Sequence, residues 1–360
     1  MRAILGRVML YTGIDYHKKY SVVSTMDATG ARVREARIDE NEPAAFAACF
    51  KSLPEPSRVV VEACWNWGWL YDELGEIDAV EDVVLAHPFK TRLIADAQIK
   101  TDRLDARALA TLLRGNLVAT VHAPTPANRA RKHVIRQRLF LVRVRTMIRN
   151  RVHTVIARQR NLDRPVFSDQ FGKKGLHWLR TVTLPAPDDT LRKQDLATLE
   201  QLGTIIKELE TQIATANGED EAARRLQTLP GVGPILAAVM AAEIDGVARF
   251  PRADKLCCYA GLVPTTHSSG GKTAHGRMLP YSNRWLKWAF VEAAWVAIGC
   301  SPYFGGIYRR HRDRGKKVNT TITIIARRMC AIAWHLLHDG RDFAPNPPKL
   351  LLSPVAPLKD

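Results

Sequence analysis

The sequence contains few cysteines for its length, and they do not form the pairs typical of a zinc site. Only six occur among 360 residues, and no two of them stand in a Cys-x-x-Cys pair. This pattern argues against a zinc site and against a disulfide framework, so we expect a reducing, cytoplasmic setting. The cysteines are Cys49, Cys64, Cys257, Cys258, Cys300 and Cys330.

Long hydrophobic runs and a secretion signal are also absent. No apolar run reaches the roughly 18 residues that a membrane-spanning helix requires. Residues 1–15 contain two arginines and a short apolar run, but no signal-peptide cleavage pattern. Apolar residues make up 46% of the chain and charged residues 25%, which is ordinary for folded domains. We therefore expect a soluble protein with no membrane partner.

Acidic residues are missing from long stretches of a chain whose net charge is +17. This balance predicts a polyanionic partner such as nucleic acid. Between Ala106 and Leu162 there is no Asp or Glu, but there are thirteen Lys or Arg residues, interleaved with apolar residues at helical spacing. A solvated basic helix is the alternative, but repulsion among so many like charges favours a phosphate-contacting surface. We assign to it Arg129, Arg131, Lys132, Arg136, Arg138, Arg143, Arg145 and Arg149.

Apolar and β-branched segments alternate with helical ones over the first 115 residues. The order is three strands, a helix, a strand, a helix, a strand and a helix. It predicts a mixed sheet flanked by helices. The predicted strands span residues 9–15, 20–25, 32–38, 58–62 and 80–85.

Four acidic residues stand at the boundaries of these elements. Asp15 ends the first strand and Glu62 the fourth, and ligands of open α/β sheets bind beyond strand ends. Asp102 and Asp105 are three residues apart where a helix begins, so both can lie on one helix face. Each acid alone also suits a solvated strand end or a helix cap. Together the four suit one or two Mg²⁺ ions.

The sequence pattern in the middle of the chain predicts a loop followed by a long helix. Residues 163–190 contain three prolines, which favours a loop. Apolar residues at 3-4 spacing over residues 199–213 then predict a short coiled-coil seam, packed within the chain or against a second copy. Leu229-Pro230-Gly231-Val232-Gly233 precedes a further helix. It is either a plain helix-capping turn or a helix-hairpin-helix turn whose N–H groups approach a phosphate.

A second candidate site follows near residue 269. The segment Ser268-Ser269-Gly270-Gly271-Lys272 is either a flexible linker or a loop that presents a serine hydroxyl to a phosphate. Lys272 and Arg277 would neutralise charge there, and no acidic residue lies between Lys255 and Phe290. Both Ser268 and Ser269 could be the nucleophile. Residues 309–317 form another basic patch.

Taken in order, these motifs resemble the DEDD-type insertion-sequence transposases, which include the Piv DNA invertase and the bridge-RNA-guided recombinases. The match covers roughly residues 10–340. Each motif alone is weak, but the ordered set is specific. The motifs are Gly13-Ile14-Asp15-Tyr16-His17-Lys18, Val61-Glu62-Ala63, Lys100-Thr101-Asp102 with Asp105-Ala106-Arg107, Leu229-Pro230-Gly231-Val232-Gly233, and Ala260-Gly261-Leu262-Val263-Pro264 through Ser269-Gly270-Gly271-Lys272.

The resemblance implies a fold and a domain order. Residues 1–115 would form an α/β RuvC-like domain of the RNase H fold, and residues 116–220 a basic helical and coiled-coil region. Residues 221–343 would form a mainly α-helical transposase domain with a helix-hairpin-helix-like motif and the serine loop. Residues 344–360 would form a flexible tail.

The resemblance also implies an activity and its partners. Asp15, Glu62, Asp102 and Asp105 would bind Mg²⁺, and Ser269 would attack a DNA phosphodiester to give a covalent intermediate. The partners would be donor DNA, target DNA and a structured noncoding guide RNA, in a homodimer or homotetramer. Two alternatives are a RuvC-type junction nuclease that uses the acids and water, and a nucleic-acid-binding protein without catalysis.

Overall fold

A computed structural model describes residues 9–94, 101–269, 272–279 and 282–344. The chain divides into two compact units, residues 1–126 and 127–360. The sequence predicts boundaries near residues 115 and 220 instead. In the structure the basic helical region shares a buried core with the transposase region, because Ile135, Leu139 and Ile213 pack in the same cluster as the C-terminal helices. The expected tail beyond residue 344 lies outside the described residues.

The N-terminal unit contains five strands and four helices among its described residues. The strands follow the predicted order, and each end lies within one residue of its predicted position. The elements are β1 (Leu10–Tyr16), β2 (Ser21–Met26), β3 (Arg32–Ile38), α1 (Pro43–Lys51), β4 (Ser57–Glu62), α2 (Trp67–Gly75), β5 (Val80–Ala86), α3 (Pro88–Ile94) and α4 (Asp102–Arg114).

The five strands form one mixed sheet in the order β3-β2-β1-β4-β5. The first three strands are joined by hairpins and pair antiparallel, whereas β1, β4 and β5 run parallel. The prediction of a mixed sheet flanked by helices is therefore confirmed. Parallel pairing of β1 with β4 brings their carboxyl ends to the same edge of the sheet.

Side-chain alternation along β1 and β4 separates two hydrophobic layers. Ile14 and Val61 pack under α1 and α2 on one face. Val60 packs under α4 on the other face, with Leu109 and Leu113. A Cβ added at Gly13 would lie 2.1 Å from the carbonyl oxygen of Ala106, so α4 approaches β1 this closely because position 13 has no side chain.

The C-terminal unit is mostly helical, as the sequence predicts, with one two-stranded sheet. Its described residues form two helices of 32 residues with a shorter helix between them, and six further α-helices follow. The elements are α5 (Pro126–Ala157), α6 (Lys173–Thr181), α7 (Asp188–Glu219), α8 (Glu221–Gln227), α9 (Pro234–Ile244), a 3₁₀ turn (Val247–Arg249), α10 (Ala253–Tyr259), β6 (Pro264–Ser269), β7 (Lys272–Met278), α11 (Arg284–Cys300), α12 (Pro302–Asp313) and α13 (Val318–His338).

The apolar face of α7 packs against α5 of the same chain. Leu202 and Ile206 form a buried cluster with Leu141, and Leu196 packs against Val152. Residues with higher numbers in α7 pack against residues with lower numbers in α5, so the two helices run antiparallel. Of the two options for this seam, packing within the chain is the one observed. Within the described residues no single helix is long and apolar enough to cross a membrane, although α11 and α12 together reach that length across a 98° bend.

Candidate active site

The end of the β1–β4 pair positions the first two predicted acids. Ile14 pairs with Val61 in the parallel register, and Asp15 and Glu62 are the next residues of their strands. Because Ile14 and Val61 face the α1 and α2 layer, alternation turns Asp15 and Glu62 towards the opposite face. That is the face against which α4 packs.

The start of α4 positions the other two acids. Thr101 is the N-cap residue, and its side chain accepts a hydrogen bond from the Leu104 N–H at 3.3 Å. Asp102 and Asp105 therefore lie in the first turn, where the helix dipole favours carboxylates. The explanation of Asp102 as the helix cap is wrong, because Thr101 occupies that position. The Asp102 carboxylate is free of the capping role and contacts His17 and Tyr20, in the turn between β1 and β2, instead.

Asp15, Asp102 and His17 converge at this edge of the sheet. Their ligand atoms all lie within 4.8 Å of one another. His17 Nε2 is 3.1 Å from Oδ2 of Asp15 and 3.6 Å from Oδ1 of Asp102. Glu62 and Asp105 do not belong to this 4.8 Å group. The structure thus brings two of the four predicted acids into ligand distance and adds a histidine.

Charge interactions nevertheless place Asp105 and Glu62 near the cluster. Burial raises the pKa of Asp15, His17 opposes that rise, and the charges of Asp105 and Asp102 add to it. Burial likewise raises the pKa of the Cys64 thiol, and the charges of Glu62 and Asp15 raise it further. Asp102 and Asp105 therefore act on Asp15, whereas Glu62 and Asp15 both act on the neighbouring Cys64 thiol.

Tyr20 completes the surroundings of Asp102. Its hydroxyl donates a hydrogen bond of 2.9 Å to Oδ2 of Asp102. Its ring stacks on His17 with 4.7 Å between centroids, and the Arg37 guanidinium carbon lies 3.8 Å from its ring centroid. His17 belongs to the motif Gly13–Lys18 but was not predicted as a site residue, and Tyr20 was not singled out. The sequence did contain a signal for these two residues, because a histidine and a tyrosine follow the strand-end Asp15 within five positions.

The donor set fits a hard divalent cation with one nitrogen ligand. Two carboxylates close to each other repel unless a cation or a proton lies between them, and burial of Asp15 adds to that cost. Oxygen ligands of this kind are preferred by Mg²⁺ and Mn²⁺, whereas imidazole is more typical of Zn²⁺, Cu²⁺, Fe²⁺ or Ni²⁺ sites. His17 can therefore ligate directly or hold the Asp15 carboxylate in place.

The serine segment is a β-hairpin. Strands β6 and β7 pair antiparallel, with Ser268 opposite Thr273 and Ser269 opposite Lys272. The linker interpretation is wrong, because the residues on both sides of the glycines are paired in a sheet. Ser268 and Arg277 are exposed. Gly270, Gly271 and the side chains of Ser269 and Lys272 lie outside what the structure describes, so the assignment of Ser269 remains a prediction.

The start of α11, which follows the hairpin, is held by a partly buried network of hydrogen bonds around Asn283. Asn283 caps α11 by accepting hydrogen bonds from the Trp285 and Leu286 N–H groups. Its Nδ2 donates to Oε2 of Glu243 at 2.8 Å and to the Tyr259 hydroxyl at 3.1 Å. One side chain thereby joins α9, α10 and α11 where the hairpin ends.

Glu243 also anchors α5. Lys132 Nζ lies 3.4 Å from its Oε2, and Arg136 donates to its Oε1 at 2.8 Å. Burial alone would raise the pKa of Glu243, but Lys132, Asn283 and Arg136 together hold it below its ordinary value. Lys132 is itself buried. Its assignment to a phosphate-contacting surface is therefore wrong, because its partner is an internal carboxylate.

Other predicted phosphate contacts on α5 are also occupied within the chain. Five of the nine Lys or Arg residues of α5 make ion pairs with acids that lie far away in the sequence. The expectation that repulsion among these cations calls for an external phosphate is thus wrong for most of them, because acids of the same chain already pair with them. Besides the pairs of Lys132 and Arg136 with Glu243, the pairs are Arg131 with Asp220, Arg138 with Glu210, and Arg151 with Asp195.

The remaining α5 arginines differ in their surroundings. Arg143 is exposed and lies 5.4 Å from the ring centroid of Trp285, which the Arg284 guanidinium also approaches to 5.2 Å. Arg149 lies over Phe171. Burial lowers the pKa of Arg145, and so do the charges of Arg149 and Arg138. Arg129 has contacts within the chain. The interpretation of these four as phosphate contacts stays a prediction.

The Gly231 turn has a packing role. Gly231 has a φ of +85°, and a Cβ there would lie 2.3 Å from the Ala293 carbonyl oxygen of α11. Position 231 is therefore glycine because the turn packs directly on α11. Gly233 is the N-cap of α9 and has no neighbour of this kind. The turn is flanked by α8 and α9, which pack against each other, and both the helix-hairpin-helix interpretation and a phosphate contact at the turn stay predictions.

Two protein-family models match the chain, and together they cover more than half of it. One, a transposase model named for the DEDD transposases of IS110 elements, matches residues 12–159. The other, described as the transposase IS116/IS110/IS902 family, matches residues 223–309. The first match contains all four predicted acids, and the second contains Ser268 and Ser269.

Relatives of the chain include proteins encoded by insertion elements. The chain is 28% identical over 185 residues to a 44.8 kDa protein of insertion element IS116 from Streptomyces clavuligerus, covering 50% of this chain and 46% of that protein. It is 25% identical over 312 residues to a protein described as a family 20 transposase from Pseudomonas aeruginosa, covering 82% and 88%. It is 34% identical over 264 residues to a protein described as the mini-circle transposase for IS117 from Streptomyces coelicolor, covering 72% and 56%. The chain thus spans about half the length of two of these relatives.

Proposed function

The chain belongs to the IS116/IS110/IS902 family of transposases, and from this we propose that it cuts and rejoins DNA strands. The proposal gives the acid cluster at the β1–β4 edge the role of a divalent-metal site. It gives the serine hairpin the role of the nucleophile. The observation that carries the proposal is the convergence of Asp15, His17 and Asp102 within 4.8 Å.

The fold of the N-terminal unit supports the metal assignment. The strand order β3-β2-β1-β4-β5, with an antiparallel half and a parallel half, is consistent with the RuvC-like, RNase H fold that the sequence resemblance implies. Asp15 and Glu62 lie at the carboxyl ends of two parallel strands, the edge at which α/β sheets bind their ligands. Asp15 and Asp102 would hold Mg²⁺, with Glu62 and Asp105 completing the set.

Each part of the chain would supply one element of the chemistry. When bound, the metal supplies positive charge that stabilises the attacking and leaving oxygens of a phosphodiester. The Ser269 oxygen would attack phosphorus, forming a phosphoserine bond and breaking the bond to one sugar oxygen, which takes up a proton. Attack of a second strand's hydroxyl on that bond would release the serine and complete the joining. His17 and Tyr20 would hold Asp15 and Asp102 in position.

The partners follow from this chemistry and from the family. DNA, as donor and as target, would be the substrate. A structured noncoding RNA would guide the choice of sites, and the active assembly would contain at least two copies of the chain. Sequencing of RNA that copurifies with the protein tests the guide, since random fragments alone would count against it. Light scattering of the purified protein tests the assembly.

Trapping of a covalent DNA adduct tests the proposed function. Full-length protein is incubated with Mg²⁺ and substrate DNA, resolved on a denaturing gel, and mapped by mass spectrometry. We expect an adduct at Ser269 that disappears in Ser269→Ala and in Asp15→Asn, while both variants still bind DNA. Ser268→Ala is the matched control and should retain the adduct. An adduct that maps to Ser268 would transfer the nucleophile to that residue.

A metal-dependent junction nuclease that uses water is the second candidate. The observation in its favour is that the acid cluster is built entirely within the N-terminal unit. DNA cleavage that persists in Ser269→Ala, stops in Asp15→Asn and never yields an adduct would favour this nuclease. If neither Ser269→Ala nor Asp15→Asn changes any measured reaction with DNA, a nucleic-acid-binding protein without catalysis would be favoured.

A further inference from the structure

The positive charge of the C-terminal unit is not concentrated where the sequence analysis assigned it. Most cations of α5 face internal carboxylates, as described above. From Lys255 to Arg328, in contrast, thirteen Lys or Arg residues occur with only two acids, Glu292 and Asp313. The densest part of this stretch, residues 309–317, spans the end of α12 and the connection to α13, and we call it the basic turn.

The basic turn presents uncompensated charge to solvent. Its nine residues include six Lys or Arg and a single acid, Asp313. All six cations are exposed, and none makes an ion pair with any residue that the structure describes. They are Arg309, Arg310, Arg312, Arg314, Lys316 and Lys317.

The backbone of the basic turn has a defined shape. The Gly315 N–H donates to the Arg312 carbonyl at 2.9 Å, and the Lys316 N–H donates to the His311 carbonyl at 3.2 Å. Gly315 has a φ of +76°, a conformation that favours glycine. The Arg312 side chain donates to the Lys316 carbonyl. The cations therefore project from a turn that the chain itself holds closed.

Helix electrostatics explain only part of this clustering. Arg310 and Arg312 lie in the last turn of α12, where the dipole favours cations. Lys317 is the N-cap of α13, where the dipole disfavours a cation. Burial lowers the pKa of His311 in the same turn, and the charges of Lys316, Arg314 and Arg310 lower it further. A positive potential of this kind is costly without an external anion.

We propose that the basic turn binds the phosphate backbone of duplex DNA. The inference rests on the proposed function, which makes DNA the substrate. A duplex carries one negative charge per about 1.7 Å of its axis, so several closely spaced cations can be neutralised together. Residues 309–317 contain no Phe, Tyr or Trp on which the bases of a single strand could stack. Contacts of this type position DNA without reading its sequence.

A salt titration of DNA binding tests the proposal. The full-length protein carries Asp15→Asn in all samples, so that binding is measured without cleavage. The probe is a mixed-sequence duplex of roughly 30 base pairs, and affinity is measured by fluorescence anisotropy at several salt concentrations. The test variant combines Arg314→Gln, Lys316→Gln and Lys317→Gln, whose side chains make no hydrogen bond with a described residue.

A matched control removes the same charge elsewhere in the C-terminal unit. It combines Arg180→Gln, Lys193→Gln and Arg252→Gln, three exposed cations that are ion-paired with Glu200, Asp189 and Asp254. We expect the slope of log affinity against log salt to flatten by about 2 to 3 in the test variant, and by less than about 1 in the control. Circular dichroism should show both variants folded.

The outcomes separate the two proposals. Equal slopes in the test and control variants would overturn the basic turn as a duplex contact and leave the proposed function standing. A loss of affinity confined to a structured RNA probe, with duplex binding unchanged, would also overturn it. Failure of the parent protein to bind any DNA would overturn both the inference and the proposed function.

Discussion

The Tyr20 hydroxyl donates a hydrogen bond of 2.9 Å to Oδ2 of Asp102, although 82 residues separate the two in sequence. Tyr20 follows the first hairpin turn, and Asp102 begins α4. The bond fixes one oxygen of Asp102 and leaves Oδ1 directed towards His17. Mutation of partners that orient a metal-ligating carboxylate in this way typically lowers metal affinity by about 10- to 100-fold.

Removal of the Tyr20 hydroxyl should weaken divalent-metal binding. We expect Tyr20→Phe to lower affinity for Mn²⁺ or Mg²⁺ by about 10-fold, because Asp102 loses the bond that orients it. Isothermal titration calorimetry without DNA measures this directly. Tyr11→Phe is the control, since Tyr11 lies on the same face of the sheet and packs in the α4 cluster. Equal affinities for the Tyr20 variant and the parent protein would contradict the positioning role.

Neutralisation of Asp15 should stabilise the metal-free protein while abolishing its response to metal. The folded-state pKa of Asp15 is raised, so its contribution to stability is present at low pH and is lost as pH rises through that value. At neutral pH the charged form therefore costs stability, and Asp15→Asn should raise Tm. Saturating Mg²⁺, at about 100 times its Kd, should stabilise the parent by about 2.7 kcal/mol but not the variant.

Calorimetry with and without Mg²⁺ measures both effects of Asp15→Asn. Glu55→Gln is a suitable control, because Glu55 is exposed in the same unit and lies outside the acid cluster. A metal-free Asp15→Asn protein that melts below the parent would show that Asp15 stabilises the fold rather than straining it. An unchanged Mg²⁺ response would remove Asp15 from the metal site.

The Glu243 network should govern the acid stability of the C-terminal unit. Glu243→Gln leaves Lys132 buried without a full counter-charge, and we expect a loss of about 3 to 5 kcal/mol in the free energy of unfolding. Because the pKa of Glu243 is lowered, its contribution is present above the unfolded-state value of about 4.5 and is lost as pH falls through the folded-state value. The parent should therefore lose more stability than the variant does as the pH falls below about 4.5.

Denaturant unfolding at several pH values measures this difference. Glu221→Gln is the control, since Glu221 forms an exposed i,i+4 pair with Arg225, and pairs of that kind contribute less than about 1 kcal/mol. Parallel stability profiles for the parent and Glu243→Gln would contradict a stabilising charge at position 243.

A side chain at position 13 should separate α4 from the sheet. Since the added Cβ of Gly13→Ala would meet the Ala106 carbonyl at 2.1 Å, the helix must shift, at a cost of about 1 to 3 kcal/mol. The shift should also weaken metal binding, because α4 carries Asp102 and Asp105. Gly75→Ala is the control, as nothing lies within 4 Å of its added Cβ. Matching unfolding curves for the two alanine variants would show that α4 tolerates the methyl group.

The local pattern of the chain was enough to predict the sheet and the acids that end its strands. Strand alternation and turn residues are determined by neighbours within a few positions, and so is the end of an apolar run in Asp15 or Glu62. The order of β1 to β5 and the helical nature of the C-terminal unit could be read for the same reason. The glycine-flanked serines were visible, but their place in a β-hairpin was not.

Tertiary structure decided the features that depend on partners distant in sequence. The sequence marks Asp102 as either a cap or a ligand, and only the fold shows Thr101 in the cap position and Tyr20 on Asp102. The sequence shows α5 as an unbroken run of cations, and only the fold shows Glu243, Glu210 and Asp220 compensating them. Ion pairs and ligand clusters form wherever packing brings side chains together, and no local periodicity records that. The charge of the chain was therefore fixed by its composition, whereas the surface on which that charge remains available was decided by folding.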